Sequence, residues 1–515
     1  MNHHDNNDHN NNHDGLLGKH ETVHLDTVAV HSALLKTGKF IAFGGDDAKI
    51  GDWNIGKSSI WDPANSDVKQ NPLLSRNLFC GGHCFLSDGP LLVAGGQSTV
   101  FPQYTNGLLS FFGILQLFTK GADNDIHVFD PQTQIWNRYE NMPKARWYPT
   151  CVTLPNGKAL IVSGVYSQAH NFVFKNSFIN QTYEIFDPTT NLLSTPRPFL
   201  KKIKQYPFLQ VLPGGTLFVH SVYTTRLINL TNFEPYPEKF ETKHRGTRTY
   251  PGMGCCTLLP VTPEDTDFKI LIAGGSKVLS PNNTSDTTNT AEVFTFRANN
   301  VSESGWDNIK PTNKKRFLSD SVLLPDGTVL VTNGAAIGKS DDNKETVKEI
   351  ELYNPESGNW SIIDSLDRER LYHSSALLLP DGRVVAAGST GHKWSTNPEH
   401  YEKEIEIIIP PYLKDNPQRP EIIDCPLEIS YNTDFEVKTP DSSEIIRVVL
   451  IKNSSTTHNN NMDQRCLVIH ISYETNNVLK LSSPKDGTYA PPGYYMLFIL
   501  NRSNVPSFAK IIKVG

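Results

Sequence analysis

The feature that most constrains this chain is an internal repeat. An apolar stretch, a glycine turn, four or five apolar residues and a Gly-Gly-like end recur along it. The unit reads ALLKTGKFIAFGG up to Gly45, CFLSDGPLLVAGG up to Gly96 and VTLPNGKALIVSG up to Gly164. It returns as LQVLPGGTLFVHS up to Ser221, more loosely as TLLPVTPEDTDFKILIAGG up to Gly275, then as VLLPDGTVLVTNG up to Gly334 and ALLLPDGRVVAAG up to Gly388. These seven copies are spaced by 51, 68, 57, 54, 59 and 54 residues. Each predicts two antiparallel strands, because Asp-Gly, Asn-Gly and Gly-Gly supply the positive φ of a tight hairpin turn. A third strand with its own stop signal lies between copies, as in SSIWDP, HVFDP, YEIFDP and ELYNP. Units of this length and strand content predict an all-β chain with a seven-bladed kelch-type β-propeller over residues 21–405.

The repeat stops near residue 405. Residues 406–420, which include IIIPPYLKDNPQRP, are Pro-rich and read as a linker. Residues 421–515 then alternate as FEVKT, IIRVVLI, CLVIHIS, YYMLFIL and AKIIKV, which predicts an immunoglobulin-like β-sandwich. Residues 1–20 are polar and of low complexity and read as a disordered tail whose histidines (His3, His4, His9, His13) are solvated.

Composition excludes several classes of function. A net charge of −6 over 515 residues gives no electrostatic footprint for nucleic acid or an anionic membrane. The most apolar run, Leu108 to Leu115, is too short to span a bilayer. Seven cysteines without a CxxC pair do not form a disulfide framework. The start lacks the basic and apolar regions of a secretory signal. A monomer is expected.

In a propeller, function gathers where the innermost strands begin. Nine residues before turn glycines stand Cys80 (Gly89), Tyr148 (Gly157) and His373 (Gly382), with Tyr372 beside His373. A thiol, phenols and an imidazole at one level of a ring suit copper. The same counting finds Tyr206 before Gly215 and Leu318 before Gly327, while Tyr250-Pro251 copies Tyr148-Pro149 and His31-Ser32 copies His373-Ser374. Tyrosine and histidine are therefore also readable as blade packing. Arg146 reads either as a contact for an anionic substrate or as a blade cap. The aromatic insertion Phe111-Phe112 with Phe118 reads as a pocket rim or as packing on a neighbouring blade.

The strings FCGG (Phe79 to Gly82), ARWYPT (Ala145 to Thr150), LYHSSALLLPDGR (Leu371 to Arg383), TTHNNNMDQR (Thr456 to Arg465) and PPGYYMLFILNRSNVPS (Pro491 to Ser507) together resemble the galactose oxidase and glyoxal oxidase family, closer to the glyoxal oxidase branch. The resemblance runs from about residue 25 to residue 515. It implies one copper ion and a protein-derived radical cofactor, with Cys80 joined by a thioether bond to the Tyr148 ring. It implies Tyr148, Tyr372, His373 and His458 as copper ligands, His458 being lent by the C-terminal domain. Tyr148 would carry the radical and Tyr372 would act as base. Where the family places a Trp or His over the cross-linked ring, this chain has Tyr166. The implied activity is two-electron oxidation of a primary alcohol, sugar or hydrated aldehyde by O2, giving an aldehyde or carboxylic acid and H2O2. The other reading is a catalytically inactive kelch-propeller binding protein. Family members are usually extracellular.

Overall fold

The computed structural model describes residues 20–44, 56–74, 78–98, 121–139, 141–166, 179–278, 285–339, 342–391, 401–475 and 477–515. The histidines of the tail and Phe111, Phe112 and Phe118 lie outside them. The repeat unit folds as a four-stranded antiparallel sheet whose inner hairpin holds the apolar copies read from the sequence. Cys84 to Phe85, for example, pairs with Leu91 and Leu92, and the buried strand Leu91–Ala94 pairs in turn with Ile126–Asp130. Asp62, Asp130, Asp187 and Asn354 end the third strands, each side chain accepting a backbone N–H two residues on. That is the Asx turn expected of those residues.

The last sheet is completed by the first strand: Glu21–His24 pairs with Glu404–Ile408, which pairs with Val384–Gly388. This shifts one boundary. Residues 406–408 belong to a sheet, because Ile405, Ile407 and Ile408 are buried in its core. The Pro-rich segment is docked too: Tyr412 is buried and its hydroxyl donates to the Gly382 carbonyl at 2.6 Å.

The C-terminal region forms two sheets, one of five strands and one of three. CLVIHIS splits at His470 between them, and a short strand that the pattern did not single out, Val478–Ser482, lies at the centre of the smaller sheet. The strand Ile445–Lys452 is buried on both faces from Val448 onward. Val448 and Leu450 belong to a core that holds Leu467 and Leu497 together with Phe208, Phe268 and Trp306 of the repeat sheets, while Val449 and Ile451 belong to a second core with Leu323, Val329 and Val331 of another repeat sheet. Strand alternation thus gives this domain two cores, both shared with repeat sheets. Among the described residues no helix is long and apolar enough to cross a membrane.

Candidate metal centre

The segment entering the inner strand bends sharply at the same place in six sheets. Cys80, Tyr148, Tyr206, Met253, Leu318 and His373 all have positive φ, between 44° and 66°. Non-glycine residues seldom adopt this conformation, and it costs of order 1 kcal/mol or more each. Neighbouring bends are joined by backbone hydrogen bonds. Tyr148 N donates to Cys80 O at 3.0 Å, Tyr206 N to Tyr148 O at 2.9 Å and Leu318 N to Met253 O at 2.7 Å. Side chains at this level are buried and share small cores: Cys80, Tyr148 and Tyr206 in one, Met253, Leu318 and Tyr372 in another.

Four of these segments are pinned alike. Arg146, Arg248, Arg316 and Arg370 are fully buried and pair with Glu184, Glu292, Glu351 and Glu406, each from the third strand of the same sheet or from the strand that takes its place. Each guanidinium also donates to a backbone carbonyl at the end of the second strand: Ser163, Gly274, Asn333 and Gly388. Arg146 is therefore a blade residue. Two residues after each arginine come Tyr148, Tyr250, Leu318 and Tyr372.

His458 arrives from the other domain. It sits at the tip of a hairpin, Ser455–Thr457 and Asn460–Asn461, whose two turn residues have φ of 48° (His458) and 62° (Asn459), as a type I′ turn requires. The hairpin adds to the innermost strand His31–Leu34, with His31 opposite Thr457. Residues that follow the tip lock it among the other inner strands. Asp463 accepts from Phe85 N at 2.9 Å and from Lys452 Nζ at 2.8 Å. Gln464 accepts from Leu323 N at 3.1 Å and donates to Ser321 O at 3.0 Å. Arg465 donates to Tyr489 O at 2.7 Å.

The five residues singled out by the resemblance meet here. His458 Nε2 is 3.3 Å from Cys80 Sγ, and the Tyr148 and Tyr372 hydroxyls are 3.3 Å apart. The His458 ring lies 4.7 Å from that of His373 and 5.5 Å from those of Tyr148 and Tyr372. Candidate ligand atoms of Cys80, His373 and His458 lie within 4.8 Å of one another, all buried. Threonine hydroxyls hold the Nδ1 atoms, Thr390 on His373 at 3.1 Å and Thr457 on His458 at 2.7 Å, so the opposite nitrogen of each ring is the one that could bind a metal.

Electrostatics suits a cation. Burial, then His373 and His83, pushes His458 well below the usual imidazole range, so it is neutral, as a ligand must be. Burial pushes the Tyr148 and Tyr372 phenols well above theirs. A dication at this spot would reverse that cost, since two phenolates balance its charge while the imidazoles stay neutral. The donor set fits copper.

Tyr166 is not placed over Tyr148. Val165 pairs with Trp147 and packs in the Tyr148 core. The rings stacked on Tyr148 are Trp147 (5.1 Å between centroids, 10° between planes) and Tyr250 (4.6 Å, 24°). The sequence reading also passed over Asp320. Its buried carboxylate accepts from Asn333 at 2.8 Å and from Asn459, next to His458, at 3.1 Å, and lies 3.5 Å from the hydroxyl of Ser374, next to His373. Tyr250 had a signal: Arg-x-Tyr, shared with Tyr148 and Tyr372. His31, which copies His373-Ser374, instead accepts the Cys80 N–H at 2.9 Å.

The glyoxal oxidase N-terminus family matches residues 114–412, and the galactose oxidase-like early set domain matches residues 419–514. The chain belongs to the glyoxal oxidase and galactose oxidase family. It is 29% identical over 438 residues to aldehyde oxidase GLOX1 of Arabidopsis thaliana, covering 77% of this chain and 68% of that protein. It is 28% identical over 466 residues to a WSC domain-containing protein of Arthroderma benhamiae (85% and 46%) and 24% identical over 491 residues to galactose oxidase of Gibberella zeae (92% and 65%). The chain thus spans about half the length of the Arthroderma protein. In fold it is similar to a novel fungal alcohol oxidase of the AA5 family in complex with copper, with a TM-score of 0.75 at 20% identity over 96% of this chain and 98% of that one.

Proposed function

We propose that this chain is a copper radical oxidase acting on a primary alcohol or hydrated aldehyde with O2. One observation carries the reading: thiol, phenols and imidazoles from positions 80, 148, 372, 373 and 458 meet in one buried spot, one of them delivered by a second domain. The repeat sheets form a seven-bladed kelch propeller, and the C-terminal sandwich completes its site. Tyr148, Tyr372, His373 and His458 are the residues to hold copper. Bound there, copper supplies a Lewis acid for the substrate hydroxyl and a one-electron acceptor.

Cys80 and Tyr148 lie on consecutive sheets joined at 3.0 Å through Tyr148 N and Cys80 O, so sulfur and ring are neighbours. A bond from Sγ to a ring carbon forms with loss of the thiol hydrogen and one ring hydrogen, both taken by O2 as H2O2. Electron donation from sulfur makes the ring easier to oxidise. In turnover Tyr372 takes the hydroxyl proton, and oxidised Tyr148 takes a hydrogen atom from the carbon. Two electrons leave the substrate in all; O2 takes them with two protons and leaves as H2O2. The family relationship and the aldehyde oxidase name of the plant relative support an aldehyde or small alcohol as substrate.

The test is to load the protein with Cu(II) under O2 and run it denatured beside Cys80→Ala. The cross-linked chain migrates differently from the variant, and identical migration would defeat the proposal. Peroxide release across glyoxal, methylglyoxal, glycerol, galactose and benzyl alcohol then ranks the substrates.

A further inference from the structure

We propose that Cys84 and Cys151 are a modification site, a facing thiol pair that peroxide converts to a disulfide stapling two consecutive repeat sheets. The inference stands apart from the oxidase reading, because it needs neither copper nor the groups at the candidate metal centre.

The backbone brings the two thiols together. Cys84 lies on the inner strand Gly82–Phe85, and Cys151 lies on the inner strand Thr150–Thr153 of the next sheet. These strands run side by side between two ties, Tyr148 N on Cys80 O at 3.0 Å and Thr153 Oγ1 on Phe85 O at 2.7 Å. Both ties have the same offset along the chain, and that offset sets Cys151 between Gly82 and Cys84. Gly82 and Cys84 present the same face of their strand. Gly82 lets the backbones approach closely: a Cβ there would stand 2.5 Å from Pro149 O and 3.1 Å from Cys151 Sγ. Cys84 is within hydrogen-bonding reach of the Cys151 thiol, and both are fully buried in one core. By contrast Cys255 and Cys256, neighbours in sequence, belong to different cores.

The contact with Cys151, then burial, holds Cys84 well above the usual thiol range, so it stays protonated and inert toward bulky reagents. Peroxide is small and neutral, the kind of oxidant that a dry interior admits. One thiol loses its hydrogen and takes a hydroxyl from H2O2, giving a sulfenic acid and a first water. The other thiol then attacks that sulfur. The S–S bond forms, the S–O bond breaks, and the hydroxyl leaves with the second thiol hydrogen as a second water. Two thiols and one H2O2 give one disulfide and two waters; each sulfur loses one electron and the peroxide gains two. The bond closes a long loop, residues 84–151, and so restricts the unfolded chain.

The experiment treats the full chain, as wild type and as Cys80→Ala, with H2O2. Catalase stops the reaction, N-ethylmaleimide blocks the remaining thiols, and the peptides are read by mass spectrometry. Cys80→Ala cannot form the thioether proposed between the same two strands. The expected result in both proteins is a peptide pair joined through Cys84 and Cys151 that a phosphine reductant separates. The melting temperature should stand about 3 °C or more above that of the reduced chain. Cys84→Ser and Cys151→Ser should each lose the joined pair and the shift. Recovery of both cysteines as alkylated thiols overturns the inference, as does a sulfinic acid at either without the joined pair. An equal shift in Cys84→Ser, or a joined pair without any shift, overturns the staple. If a serine variant fails to fold, the wild-type and Cys80→Ala peptides decide alone. The gel shift of the copper-loaded chain is read separately, so the oxidase reading and this one fail independently.

Discussion

The interiors of the repeat sheets and the buried cluster where their inner strands begin solve opposite problems with the same backbone. In four sheets an arginine buried on a glutamate pins the segment before the inner strand, at Arg146, Arg248, Arg316 and Arg370. The pins hardly differ. Two residues further on the side chains do differ: Tyr148, Tyr250, Leu318 and Tyr372. Repetition therefore builds the frame, and variation at one position of the repeat makes the site. Leu318 shows the frame without the chemistry, since it has the same bend with φ of 59° and only an apolar side chain.

If that division is right, breaking a pin costs stability and breaking the cluster costs copper. The largest effect is expected for Arg316→Ala, which strands Glu351 in a dry interior and lowers unfolding free energy by about 3–5 kcal/mol in urea titration. Replacing both partners, as Arg316→Met with Glu351→Leu, returns most of that loss. An equal loss in the double variant would show that the carbonyl contacts, not the ion pair, do the pinning.

Next comes Asp463→Ala, at the junction of the two regions. It leaves Lys452 buried without its carboxylate and frees the hairpin, for a loss of about 3 kcal/mol. Copper content measured by metal analysis should fall with it, because His458 is carried on that hairpin. A variant that destabilises the chain and keeps full copper would separate hairpin and site.

Before copper loading, Cys80→Ser is expected to be nearly silent in thermal melts, shifting stability by about 1 kcal/mol or less, yet after loading it abolishes the gel shift. His458→Ala behaves alike in melts and loses copper. A large destabilisation by either would place the cluster among the structural devices.

The smallest effect concerns His20, which ties the first strand to the last sheet through Glu406 and Asp364, each at 3.2 Å. Those carboxylates raise its value from 6.5 to about 9 against the opposing cost of burial. Its contribution is therefore fully present below pH 6.5 and is lost as pH rises through about 9. His20→Gln should flatten that part of the stability profile, by on the order of 1 kcal/mol, read as melting temperature between pH 6 and pH 10.

Much of this was legible in the chain itself. The turn glycines and apolar runs mark the hairpins, because a tight turn and strand alternation are local properties. Counting back from those glycines reached Cys80, Tyr148 and His373, since the bend lies at a constant distance along one strand. The resemblance added His458. The boundary at residue 405 came out short because a strand buried on both faces, followed by Pro410, reads like the start of a linker.

Residue order alone thus settled the repeat, most of its strands and the level at which each inner strand begins. Which bends come face to face was decided only by the folded chain. Tyr250 stacks on Tyr148, Asp320 holds Asn459, and the Asp463 hairpin threads between inner strands. These pairs are separated by about a hundred residues or more, and no local rule connects them. They meet because repeated sheets share buried inner strands, and the shared core of the C-terminal domain fixes where its hairpin enters.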